Sequence, residues 1–172
     1  MMVPDAAKAA ALLFFVVVVQ LSIIANVDVL GGRPNLLLVT LVSVALLRGA
    51  TFGAVAGFSA GLLADTGVFG TLGFTALLLT LAGYWTGRYG ETTGRDRAHA
   101  PLLSIAVITV LYQVAALTLR FMLGEHAPAG HIFAALVQTV VLNLILTFPV
   151  YAVTRRLLRP RDWVPREVRL LG

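Results

Sequence analysis

Apolar residues run almost unbroken through six stretches of this 172-residue chain, and polar residues gather in the breaks between them. The runs extend from about Ala7 to Val27, Pro34 to Leu47, Ala50 to Ala64, Thr71 to Thr86, Leu102 to Leu123 and His131 to Thr154. The breaks read GGRPN, RG, DTGVFG, GRYGETTGRDRAHAP and GEHAPAGH, each with the Gly, Pro or charge that ends helices. Long apolar runs with few charges predict membrane-spanning helices. The pattern therefore predicts an all-α integral membrane protein, one membrane domain over residues 1–172 with six transmembrane helices in a compact bundle. The second and third runs are short. Fourteen helical residues reach only about 21 Å, against roughly 30 Å of hydrocarbon. Such a pair either thins the bilayer locally or forms a partly re-entrant hairpin shielded by protein.

Composition supports this class. Apolar residues make up 59% of the chain and charged residues only 12%, too few to clothe a water-soluble surface; the mean hydropathy is +0.91. The first run, Ala9 to Ala25 at its most apolar, exceeds the length of a signal-peptide core, and no small-x-small cleavage site follows it. It reads as an uncleaved first helix. There are no cysteines, which removes disulfides, thiolate catalysis and thiolate metal sites.

The net charge of +5 could suggest nucleic acid, but its distribution suggests a membrane. With the N-terminus in the cytoplasm, the inner segments hold Lys8, Arg48, Arg88, Arg95, Arg97 and six arginines between Arg155 and Arg169, eleven in all. The outer loops hold two, Arg33 and Arg120. The positive-inside bias thus puts both termini in the cytoplasm and implies no nucleic-acid partner. The tail, residues 155–172, interleaves Arg155, Arg156, Arg159 and Arg161 with Leu and Trp163. It reads as an anchor at the lipid surface or a docking strip for a cytoplasmic partner.

Within the third run, Gly49, Gly53, Gly57 and Gly61 recur every four residues, and Asp65 takes the next step. Each glycine costs a helix about 1 kcal/mol relative to Ala. In lipid, however, helices associate by packing, and small residues let backbones approach. The stripe is a surface for packing within the bundle or for a partner's helix. Asp65, at the expected C-terminal end of its helix, opposes the macrodipole and needs a cation or hydrogen-bond donors. Arg120, one turn from the end of the fifth run, is the candidate charged contact on the same side, alongside a basic residue of a partner. The alternative is a hydrated Asp in a Gly-rich turn.

Gln20, Gln113, Gln138 and Asn143 supply the amides usual for interhelical hydrogen bonds and outline no ion path. His99, His126 and His131 lack metal-ligand spacing, and no serine has a partnering His or Asp nearby. The sequence predicts no enzyme, no cofactor and no metal.

The stretch from Pro34 to Arg88 resembles the core of the MreD family of rod shape-determining membrane proteins. The ordered positions are Pro34, Asn35 and Leu36, then Arg48 and Gly49, then Gly53, Gly57, Phe58, Gly61, Leu62, Leu63 and Asp65, and finally Gly73. The resemblance implies a non-enzymatic component of the bacterial cell-elongation machinery in the cytoplasmic membrane, supporting peptidoglycan synthesis and cell shape. It implies MreC as partner, with a RodA-type glycan polymerase, a class B penicillin-binding protein and MreB in the same machinery. It also implies a fold like the substrate-binding subunits of energy-coupling-factor vitamin transporters. Such a subunit is the rival reading; a small channel or carrier is a third. Short, sparse outer loops disfavour the former, and the lack of a charged or amide-lined path disfavours the latter.

Overall fold

The computed structural model describes residues 3–22, 34–68, 72–93, 100–124 and 132–158. Six helices follow one another there: α1 Val3–Ser22, α2 Leu36–Arg48, α3 Ala50–Val68, α4 Phe74–Thr93, α5 Ala100–Met122 and α6 Ile132–Leu158. The expected end of the first run at Val27, the Arg33, Arg95 and Arg97 positions, and the tail residues Arg159, Arg161 and Trp163 lie outside the described residues.

The helix α2 is the centre of the bundle and touches all five others. Every residue from Leu37 to Leu46 is buried, including Thr40 and Ser43. That explains a run apolar on all sides, with no polar stripe. The two hydroxyls there are satisfied within the helix, Thr40 Oγ1 donating to the Leu36 carbonyl and Ser43 Oγ to that of Val39, both at 2.8 Å. At thirteen residues α2 is about 20 Å long.

The outer helices carry their apolar residues on the outside. On α6, Thr139, Asn143, Thr147 and Thr154 face inward and are buried, while Val137, Val141, Ile145 and Phe148 are exposed. On α5, Leu103, Val107, Leu111 and Val114 are exposed. Pro101–Met122 and Ala134–Leu158 are long and apolar enough to cross a membrane, yet most of each lies on the surface. Apolar faces of this extent on a monomer belong in lipid or against another protein.

Three helices, α3, α4 and α6, run four or more residues past the C-terminal ends read from the sequence. First, α3 does not stop at Ala64 but runs through Asp65 to Val68, so at nineteen residues, about 28 Å, it is not short. Its carboxylate is satisfied from outside the helix, as shown below. Second, α4 continues past Thr86 to Thr93. Gly87 and Gly90, which read as breakers, are contact positions: a Cβ at Gly87 would strike the Gly49–Ala50 backbone, and one at Gly90 would lie 2.9 Å from the Leu46 carbonyl. Third, α6 includes Arg155 and Arg156 and ends at Leu158, so the first four tail residues are helical.

The tightest packing joins α3 and α4 as an antiparallel pair. Gly53 faces the Gly83 carbonyl and the Ala45 methyl, Gly57 faces the Leu79–Thr80 backbone, and Gly61 faces the Thr75–Ala76 backbone. Gly83 lies reciprocally against Gly53. Gly49 alone links α2 to α3. Its φ of 95° is one that L side chains rarely adopt, and its N–H donates to the Ala45 carbonyl at 2.8 Å.

At Gly57 the demand is for space. A Cβ there would lie 2.7 Å from the Leu79 carbonyl carbon. Gly57→Ala is expected to destabilise the protein by about 1–3 kcal/mol through overpacking, read as a lowered unfolding midpoint in detergent. Gly57→Leu, although fully compatible with lipid, is expected to insert and fail to pack. Phe58→Leu, one residue away on an exposed position, should shift the midpoint by no more than about 0.5 kcal/mol. Equal midpoints for Gly57→Leu and the parent would show that α3 does not need this approach.

Candidate functional site

The α3–α4 pair ends in a carboxylate at both extremities. Asp65 on α3 is buried. Its Oδ2 accepts from the Gly73 N–H at 2.9 Å and the Ala76 N–H at 3.1 Å, and its Oδ1 accepts from the Thr75 N–H at 3.0 Å. These are amides at the start of α4, where four N–H groups have no partner within the helix and the dipole favours negative charge. Gly73 has a φ of 90°, with nothing within 4 Å of where its Cβ would be, so glycine is needed there for conformation, not for space. At the opposite end, Glu91 near the C-terminus of α4 accepts from the Ala50 N–H, first residue of α3, at 2.9 Å. Its second oxygen lies 3.6 Å from Arg88. Each helix thus caps the other's N-terminus.

The N-terminus of α2 is capped by side chains from three helices. Asn35 accepts from the Leu38 N–H at 2.9 Å, closing its own helix. The Asn35 N–H donates to Asn143 Oδ1 on α6 at 2.9 Å, and the Leu36 N–H donates to Gln20 Oε1 on α1 at 2.9 Å. Asn143 in turn donates to Thr109 Oγ1 on α5 at 3.2 Å. Pro34, just before, has no N–H to satisfy. A helix start deep in a bundle is stable only when its amides are met in this way.

The capped N-termini of α2 and α4 converge on one cavity of about 460 Å³, to which all six helices contribute. Gln20, Asn35, Asp65, Thr75, Gln113 and Asn143 are among its polar walls, with Tyr112 and Arg120 of α5. The volume is in the range of small-molecule sites.

The structure brings several of the singled-out residues together. Asp65 and Arg120 line the same cavity; the carboxylate accepts from three backbone amides at the start of α4, where the sequence offers either a cation, from Arg120 or a partner, or a hydrated turn. Arg120 sits in the last turn of α5 and is exposed. Gly53, Gly57 and Gly61 face the α4 backbone, and Gly49 forms the α2–α3 turn against which Gly87 packs. Pro34 and Asn35 start α2, and Gly73 starts α4. Arg48, at the end of α2, donates from Nη2 to the Leu158 carbonyl at 3.3 Å, tying α2 to the end of α6. Phe58 points outward. Arg155 and Arg156 lie on the last turn of α6, away from the cavity.

Glu91, Thr109 and Tyr112 were not singled out from sequence. Glu91 falls in a stretch that reads as loop, and Thr109 and Tyr112 look like ordinary helix residues. One signal was available for the network: a Pro-Asn helix start leaves backbone amides to be met inside an apolar bundle, and Gln20 and Asn143 are among the few amides able to reach them.

Asp65→Ala removes the two oxygens that accept three hydrogen bonds at the start of α4, and the expected loss is at least the 0.5–2 kcal/mol typical of a cap, about 1–3 kcal/mol if an amide is left buried and unmet. Because the donors are backbone amides, the charge-swapped pair Asp65→Arg, Arg120→Asp should not recover stability. Recovery of the unfolding midpoint by that swap would show that an ion pair holds Asp65.

No curated protein and no solved structure matches this chain. The family model described as rod shape-determining protein MreD matches residues 8–160, nearly its whole length. That range contains the capped starts of α2, α3 and α4, the glycine contacts and the carboxylate at each end of the α3–α4 pair, and the chain belongs to the MreD family.

Proposed function

We propose that this protein is a non-enzymatic subunit of the cell-elongation machinery that binds MreC in the bacterial cytoplasmic membrane and thereby supports peptidoglycan synthesis. The family match over residues 8–160 is the observation that carries the reading. The bundle's form is compatible with such a role. The apolar faces of α3 and α4, with Val55, Phe58 and Leu62 beside Leu77, Leu81 and Trp85, are exposed and available to another membrane helix. A RodA-type polymerase, a class B penicillin-binding protein and MreB belong to the same proposal as more distant partners. In this reading all six helices cross or enter the bilayer and both termini are cytoplasmic, as the basic residues favour.

The cavity supports a second reading, a small-ligand subunit of the kind found in energy-coupling-factor transporters. A polar chamber of about 460 Å³ lined by every helix is an observation the first reading does not use.

Affinity purification of the tagged full-length protein from its own membranes separates the two. The first reading expects MreC at near-stoichiometric yield, and the second expects an ATPase-bearing complex. Purification with neither would remove both. For the orientation, reporters fused after Gly172 and between Gly90 and His99 should read cytoplasmic, and one near Ala127 external. An external tail would overturn the six-span arrangement.

A further inference from the structure

The last three turns of α6 and the start of α5 enclose a groove that none of the preceding chemistry uses. Its volume is about 490 Å³, and it is formed by Pro101 and Leu102 on one wall and by Phe148, Tyr151, Ala152, Arg155 and Arg156 on the other. The groove is graded along its length. Phe148 and Ala152 present an apolar floor, and the two arginines stand together at the helix end. Residues 147 to 156 cover about 14 Å of helix axis, close to half of a hydrocarbon core of roughly 30 Å. The groove therefore spans one leaflet's depth, apolar toward the bilayer centre and cationic at the boundary.

Both arginines are exposed. Among the described residues the ion pair is Arg88 with Glu91, on α4, and no carboxylate meets Arg155 or Arg156. Two adjacent guanidiniums present paired N–H groups suited to a phosphate, and Tyr151 adds a hydroxyl on the same wall. An amphiphile with an anionic head and a hydrocarbon chain matches both the charge and the gradation. A soluble anion would leave the apolar floor unused, and a zwitterionic lipid, whose phosphate is offset by its own ammonium, would leave the two positive charges uncompensated.

We propose that the α5–α6 groove is a binding site for one acidic phospholipid, its phosphate at Arg155 and Arg156 and an acyl chain along Ala152 and Phe148. The inference rests on the membrane character of the family and not on which partner the protein binds. Native mass spectrometry of the full-length protein in neutral detergent, titrated with phosphatidylglycerol or phosphatidylethanolamine, tests it. The parent should retain one phosphatidylglycerol in preference to phosphatidylethanolamine. The double variant Arg155→Gln, Arg156→Gln should bind phosphatidylglycerol roughly thirtyfold more weakly. Ala152→Trp, which fills the groove and keeps both arginines, should lose the bound lipid without lowering the unfolding midpoint, and Arg88→Gln, on another helix, should leave phosphatidylglycerol retention as in the parent. Equal retention of the two lipids by the parent, or undiminished phosphatidylglycerol binding by either groove variant, would overturn the proposal. So would a dimer of this chain that forms through the groove and excludes the lipid.

Discussion

The approach of α3 to α4 is the contact on which the rest of the bundle depends. In lipid no hydrophobic force draws two apolar helices together, so they must gain from close packing and hydrogen bonds. At Gly53, Gly57 and Gly61 there is no room for a Cβ against the α4 backbone. That closeness is what lets a short carboxylate side chain reach across. Asp65 meets three amides at the start of α4, and Glu91 meets the first amide of α3. The glycines and the carboxylates are therefore parts of one device. Without the close approach the acids could not reach the helix starts, and without the acids two helix starts would be left with unmet amides.

The same logic fixes the central helix by other means. With every residue from Leu37 to Leu46 covered by protein, α2 is too short to need lipid contact but begins inside the bundle. Its amides are met by Asn35 itself and by amide side chains from α1 and α6. At its other end Gly49 turns the chain directly into α3. A break of one residue delivers α3 to α4 in register, because Gly87 packs against that very turn. Position and register are thus handed from α2 to the α3–α4 pair through Gly49.

Much of this was legible in the sequence. Six apolar runs gave six helices, and the four-residue glycine spacing marked a surface of close approach. What was not legible came from one assumption, that polar and glycine residues end helices. On that assumption Asp65 ends α3, and the Gly87 and Gly90 region ends α4. Both helices run through, because the partner helix satisfies the acid and occupies the space above the glycines. A single sequence shows which residues are costly in a helix. It does not show which neighbour makes them favourable. Asp65 illustrates the limit well: the requirement for donors could be read from its place in the run, while the choice between a guanidinium and backbone amides depends on where α4 begins.

This arrangement restricts how the protein can meet other molecules. A stripe of glycines on a membrane helix invites the idea of a docking groove for a partner's helix, yet here α4 fills that groove along its length. The backbone there is not available to a second chain unless the α3–α4 pair opens, which would uncover Asp65 and the start of α4 together. A helix that binds this protein in lipid must instead meet side chains, on faces such as that of Val55, Phe58 and Leu62, where bulky apolar groups stand outward. The residues between Gly49 and Gly73 accordingly divide by direction: the glycines and Asp65 build the interior, and Phe58 and Leu62, on the same helix, stand outward.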